Sequence, residues 1–239
     1  MASFLFTSTP ITAHTANPLP IAARLVERGH RVRWYAGRAF HERIRHTGAE
    51  PVGYTHADDF SEAVIEDHFP QLVGSGPKVI SRAFADVFIG QAPARIADLR
   101  PLLAEAPADA ALSDAICYGV GLLHELGGPA WATFGDGPLP FEEPGIPPFG
   151  PGLAPLAGWR GRVRDGLVRA VAHRVIFREP QQVYDGIRRD LGLAPSGGTR
   201  SPACSPGGAG RARPRPRGRR RPAPGPGRAG CGRTPSAAP

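Results

Sequence analysis

The chain has 239 residues, 29 Lys and Arg against 21 Asp and Glu, and a formal charge of +8. Ten of the arginines lie beyond residue 195, which leaves 19 basic and 21 acidic residues, a net of −2, on the first 195. The basic balance therefore belongs to the tail and gives no ground for nucleic-acid or anionic-membrane binding by the body. Cys117 in the body and Cys204 and Cys231 in the tail have neither zinc-site spacing nor a disulfide framework. The start lacks a signal-peptide pattern and no apolar run is long enough to span a bilayer, so the reading is a cytoplasmic chain.

Ser3 to Thr7 reads as a short buried strand, followed by a loop through Thr12, Ala13, His14 and Thr15. Asn17 and Pro18 then form a helix start, with Asn as cap and Pro at the first helical position, and Leu19, Ala22, Leu25 and Val26 recur at helical spacing until Gly29. A period-two pattern makes residues 30–36 a second strand. A short helix over about 38–47 stops at Gly48, and a third strand, Glu50 to Tyr54, leads into an acidic loop at Asp58 and Asp59.

Residues 78–103 are broadly helical with a break expected at Pro93. Asp109 to Leu112 is a strand ending at Ser113-Asp114, residues 115–126 form a helix containing Gly119 and Gly121, and Ala130 to Phe134 is a further buried strand. Residues 135–158 are too rich in Pro and Gly for a regular element, and helical spacing resumes from Trp159 to about Leu191 with Pro180 as a kink or break. Alternating strands and helices predict an α/β fold, a Rossmann-like and mostly parallel sheet with helices on both faces, whose ligands meet the carboxyl ends of the strands.

The first strand-to-helix turn contains no glycine, so the phosphate-cradling pattern of dinucleotide enzymes is absent. It presents His14 instead, at a catalytic address for such a sheet. The remaining histidines lack metal-ligand spacing, and no protein-bound metal or cofactor is expected.

Several segments together resemble GT-B fold glycosyltransferases acting on small molecules, of the macrolide and secondary-metabolite type. They are the run Ala13-His14-Thr15-Ala16-Asn17-Pro18, then Leu19-Pro20-Ile21-Ala22, Arg28-Gly29-His30-Arg31-Val32 and Thr47-Gly48-Ala49-Glu50, then Ser113-Asp114-Ala115 and Gly128-Pro129-Ala130-Trp131-Ala132. The resemblance implies the amino-terminal, acceptor-side half of a two-domain enzyme. It also implies transfer from a nucleotide-diphosphate sugar, as co-substrate of the complete enzyme, to a hydroxyl of a small-molecule acceptor. His14 takes the place of the general base and Asp114 that of the carboxylate that holds it. His14 stands four positions before Pro18, with Thr15 in the slot where many relatives carry the histidine. Thr15, Phe134, Phe141 and Phe149 are the candidate acceptor-binding residues. A noncatalytic auxiliary partner of another transferase, or an unrelated α/β sugar-modifying enzyme, is the alternative.

The domain reading is thus residues 1–195 as an acceptor-side domain and 196–239 as a disordered Gly/Pro/Arg-rich tail, with the donor-binding domain missing. The tail has no Asp, Glu, Leu, Ile, Val or aromatic residue and so nothing to bury. Its restricted alphabet suits an out-of-frame reading of GC-rich DNA. Shifting the frame by one base near codon 200 of the gene is expected to open a donor-domain sequence.

Overall fold

The computed structural model describes residues 1–60, 63, 65–135, 146–148 and 152–196. Residues 197–239 of the tail, Phe141 and Phe149 lie outside the described residues. Five strands, β1 (Ser3–Thr7), β2 (Arg31–Tyr35), β3 (Glu50–Val52), β4 (Ala110–Asp114) and β5 (Ala130–Phe134), form one sheet in the order β3-β2-β1-β4-β5. Every pairing is parallel, with Thr7 opposite Tyr35 on one side and Ser113 on the other. The strand order reverses between β1 and β4, so their carboxyl ends flank the crevice where open α/β sheets bind ligands.

The helices are α1 (Thr12–Ala16), α2 (Leu19–Glu27), α3 (His41–Arg45), α4 (Ile65–His68), α5 (Pro77–Arg82), α6 (Ala92–Glu105), α7 (Val120–Glu125), α8 (Gly158–Val175) and α9 (Arg178–Asp190). Successive residues of a strand face opposite sides, and β1 shows what that achieves. Phe6 joins Trp34, Ala22 and Ile44 beneath α2 and α3, whereas Leu5 joins Ala92, Ile96, Leu99 and Leu122 beneath α6 and α7.

The period-two pattern of β2 sets Arg33 and Tyr35 on the side opposite Trp34, and all three are buried. Helix α6 covers Arg33 and Tyr35. The Arg33 guanidinium donates to the carbonyls of Leu102 (2.9 Å) and Ala106 at the end of α6, satisfying acceptors a helix terminus leaves open. Burial lowers its pKa.

Five local expectations differ from the structure. The His14 segment is a short helix rather than a loop, and Asn17 is itself helical (φ −59°, ψ −42°). The next helix starts at Leu19 without a side-chain cap, the Ala22 amide closing on the Pro18 carbonyl at 3.0 Å. The irregularity expected at Pro93 falls earlier, in a π-helical stretch at Ala83–Ile89, and Pro93 sits in the first turn of α6, where its missing N–H costs nothing. Helix α7 begins only at Val120. Gly119 precedes it with φ +138°, a conformation that needs glycine, and Gly121 lets the helix approach Trp131, whose ring lies 2.7 Å from where a Cβ would stand. Finally, β5 is the sheet edge and largely exposed rather than buried.

The break between the last two helices falls at residues 176–177, and Pro180 occupies the first turn of α9. Val183 and Ile187 of α9 pack on the core. The same periodicity in α8 points outward: Trp159, Val163, Leu167, Val171 and Val175 are 52–65% exposed, while Gly161 and Asp165 face inward. Apolar spacing marks a helix without saying which face meets the body.

Candidate active site

Strand β1 ends in Thr7-Ser8-Thr9 and β4 in Ser113-Asp114. The Thr7 hydroxyl donates to Ser113 Oγ at 2.8 Å, tying the two ends together at the switch point. Helix α1 leaves this edge at once and carries His14 back over it.

The His14 ring reaches Asp114, with Nδ1 2.8 Å from Oδ1. The carboxylate is fully buried and the imidazole 12% exposed. Asp114 also accepts from the Thr9 amide at Oδ2 (3.2 Å) and from the Ile116 amide at Oδ1 (3.3 Å). Three donors thus surround a fully buried carboxylate, the condition under which a buried charge is tolerated. Because a carboxylate only accepts, the Nδ1 position carries the proton and Nε2 is the basic nitrogen. Position 114 also suits a helix cap, but α7 starts six residues later, and its contacts are to His14 and to strand-end amides.

Thr15 does not share the orientation of His14. It is 1% exposed, and its hydroxyl stands 3.2 Å from both Ser8 Oγ and the Thr9 carbonyl. Phe134 is half-buried at the end of β5, in register with Asp114, and its carbonyl accepts from the Ala115 amide at 2.8 Å. Next to Asp114 a recess is lined by Cys117, Tyr118, Trp131, Thr133 and Tyr184. Burial pushes the Cys117 thiol pKa up, so it stays protonated and is a poor nucleophile. Among the described residues no cluster of His, Cys, Asp and Glu could hold a metal ion, and no helix is long and apolar enough to cross a membrane.

Sequence reasoning did not single out Ser8, Trp34 and Tyr54, which fix the end of β1. The Tyr54 hydroxyl donates to the Ser8 carbonyl, and the Trp34 indole N–H donates to Ser8 Oγ at 3.0 Å. Burial raises the Tyr54 pKa far above its usual value, so it remains a donor. The available signal was chemical: a polar pair at a strand end beside a Trp whose indole, once buried, needs an acceptor.

No family model matches the chain. Over 193 residues it is 33% identical to 4'-demethylrebeccamycin synthase of Lentzea aerocolonigenes, an alignment covering 80% of this chain and 46% of that protein. Among solved structures, the glycosyltransferase of kitacinnamycin superposes with a TM-score of 0.54 at 20% identity, covering 80% of this chain and 41% of the other. CalG4, the calicheamicin glycosyltransferase, gives 0.53 at 19%, covering 81% and 43%. Over about four-fifths of its length the chain shares the fold of these glycosyltransferases. It spans under half the length of the curated relative it matches. The parallel sheet with helices on both faces is the GT-B amino-terminal architecture.

Proposed function

We propose that residues 1–195 form the acceptor-side domain of a glycosyltransferase that moves a sugar from a nucleoside-diphosphate sugar to a hydroxyl of a small-molecule acceptor, with His14 as general base. The observation that carries this reading is the His14–Asp114 contact at the switch point of the sheet. The acceptor O–H gives its proton to Nε2 as its oxygen forms a bond to the sugar C1. The C1–O bond to the diphosphate breaks, its electron pair leaving with the nucleoside diphosphate, and attack from the opposite face inverts C1. Asp114 holds the ring through Nδ1 and stabilises the imidazolium. Phe134 and the recess beside Asp114 border the acceptor.

In this reading the nucleotide is held by a second domain, and the described residues contain a single five-stranded sheet. The purified 239-residue chain is therefore expected to show no nucleotide-sugar-dependent transfer. A chimaera joining residues 1–195 to the carboxyl-terminal half of the Lentzea aerocolonigenes relative is expected to show it. Product formation followed by chromatography with a panel of phenolic and alcoholic acceptors decides the matter. Turnover by the chain alone would overturn the two-domain reading, and a folded chimaera without transfer to any acceptor would count against the acceptor-side assignment.

A further inference from the structure

The side chain next to the proposed base closes a ring of contacts around it. Asp114 Oδ1 meets His14 Nδ1, Asp114 Oδ2 accepts from the Thr9 amide, and the Thr9 carbonyl stands 3.2 Å from the Thr15 hydroxyl. Thr15 is joined to His14 by a peptide bond. Both halves of the pair are thereby anchored to one residue, Thr9, which accepts from the helix bearing the histidine and donates to the carboxylate.

The proton order along this path follows from donor chemistry. The Trp34 indole N–H can only donate, and it donates to Ser8 Oγ at 3.0 Å. Ser8 Oγ lies 3.2 Å from Thr15 Oγ1, which is 3.2 Å from the Thr9 carbonyl. Each hydroxyl has one proton. The order that keeps every contact runs from the indole to Ser8, from Ser8 to Thr15 and from Thr15 to the Thr9 carbonyl, each link polarising the next. Ser8 is held in place by its amide on the Tyr35 carbonyl (3.1 Å) and by Tyr54 on its own carbonyl. Thr15, Ser8 and Trp34 are all buried, so water does not substitute for a missing link.

We infer that Thr15 is a positioning residue, whose hydroxyl, ordered by Ser8 and Trp34, sets the backbone of Thr9 and through it the orientation of Asp114 toward His14 Nδ1. The inference rests on the proposed pairing of His14 with Asp114, but its test does not need turnover. In the full chain, 15N-edited spectra of the His14 ring report which nitrogen carries the proton, with Asp114→Asn identifying the part of the signature that depends on the pair. Thr15→Val, which keeps the shape and removes the hydroxyl, is expected to lower the ratio of Nδ1–H to Nε2–H about two- to tenfold, the range one ordinary hydrogen bond is worth. Thr15→Ser is expected to restore the wild-type ratio. If Thr15→Val does not fold, Ser8→Ala breaks the same chain one link earlier and is expected to shift the ratio in the same direction. An Asp114-dependent signature that neither Thr15→Val nor Ser8→Ala moves would overturn the inference and leave the pairing standing. A wild-type signature insensitive to Asp114→Asn would overturn both.

Discussion

His14→Ala in the chimaera should lower kcat/KM for sugar transfer by about 10²–10⁴, the usual worth of a positioned general base. An alcohol is a weak nucleophile until its proton leaves, and His14 is the described side chain at the switch point with both a basic nitrogen and a fixed partner. Asp114→Asn should also be severe. The amide cannot carry the charge that stabilises the imidazolium, and its NH2 competes as a donor for Nδ1. The substitutions differ in their effect on folding. His14→Ala trims a ring that is still 12% exposed, whereas Asp114→Asn alters a fully buried group that also accepts from the Thr9 and Ile116 amides. Initial rates across acceptor concentrations, compared with thermal melts of each variant, separate chemistry from stability. A loss below tenfold for a folded His14→Ala protein would remove His14 from the mechanism.

The second large effect concerns stability. Asp98 of α6 is 3% exposed and accepts from the Tyr35 hydroxyl (2.6 Å), His56 Nδ1 (2.6 Å) and the amides of Thr55 (3.1 Å), His56 (2.8 Å) and Ala57 (3.3 Å). One carboxylate thus ties α6 to the end of β2 and to the loop after β3. Asp98→Ala leaves the fully buried Tyr35 hydroxyl without that acceptor and frees three amides, at a cost of about 2–4 kcal/mol. Burial alone would raise the carboxyl pKa, but the Tyr35, Thr55 and His56 donors outweigh it and hold it below the usual range. With a depressed folded value, the stabilisation is fully present above the unfolded Asp pKa of about 3.9 and is lost as pH falls through the folded one. Urea denaturation should therefore show the gap between wild type and Asp98→Ala at pH 7 and a narrower gap near pH 3. A difference under 1 kcal/mol at pH 7, or one that does not change with acid, would contradict this account.

The sheet was legible where strand signals were short-ranged and bounded. The runs at β1, β2 and β4 end in Ser, Gly or Asp, and Gly29 and Gly48 close helices with the positive φ that such stops require. The helices linking the early strands also implied parallel pairing. Tertiary packing decided what local patterns could not. Arg33 can be buried because the end of α6 supplies carbonyls for it, and β5 reads as buried until it proves to be an edge.

At the site, the pairing of His14 with Asp114, 100 residues apart, came from resemblance and not from spacing. No local pattern encodes that distance. The Asn-Pro signal at residues 17–18 misplaced a helix start because Asn17 continues a helical backbone from α1. That short helix is what turns His14 toward the strand ends and Thr15 into the interior. Ser8 and Thr9 look like ordinary loop polar residues in one dimension, and their meaning appears only when β1 and β4 are adjacent.

The contact between His14 and Asp114 carries the functional reading, and the tautomer of His14 tests it without any need for turnover. Nitrogen-15 spectra of the ring in the full chain, at a pH where the imidazole is neutral, should show the proton on Nδ1, with Asp114→Asn shifting it toward Nε2. A ring protonated mainly on Nε2 in the wild type, or one indifferent to Asp114→Asn, would contradict the account.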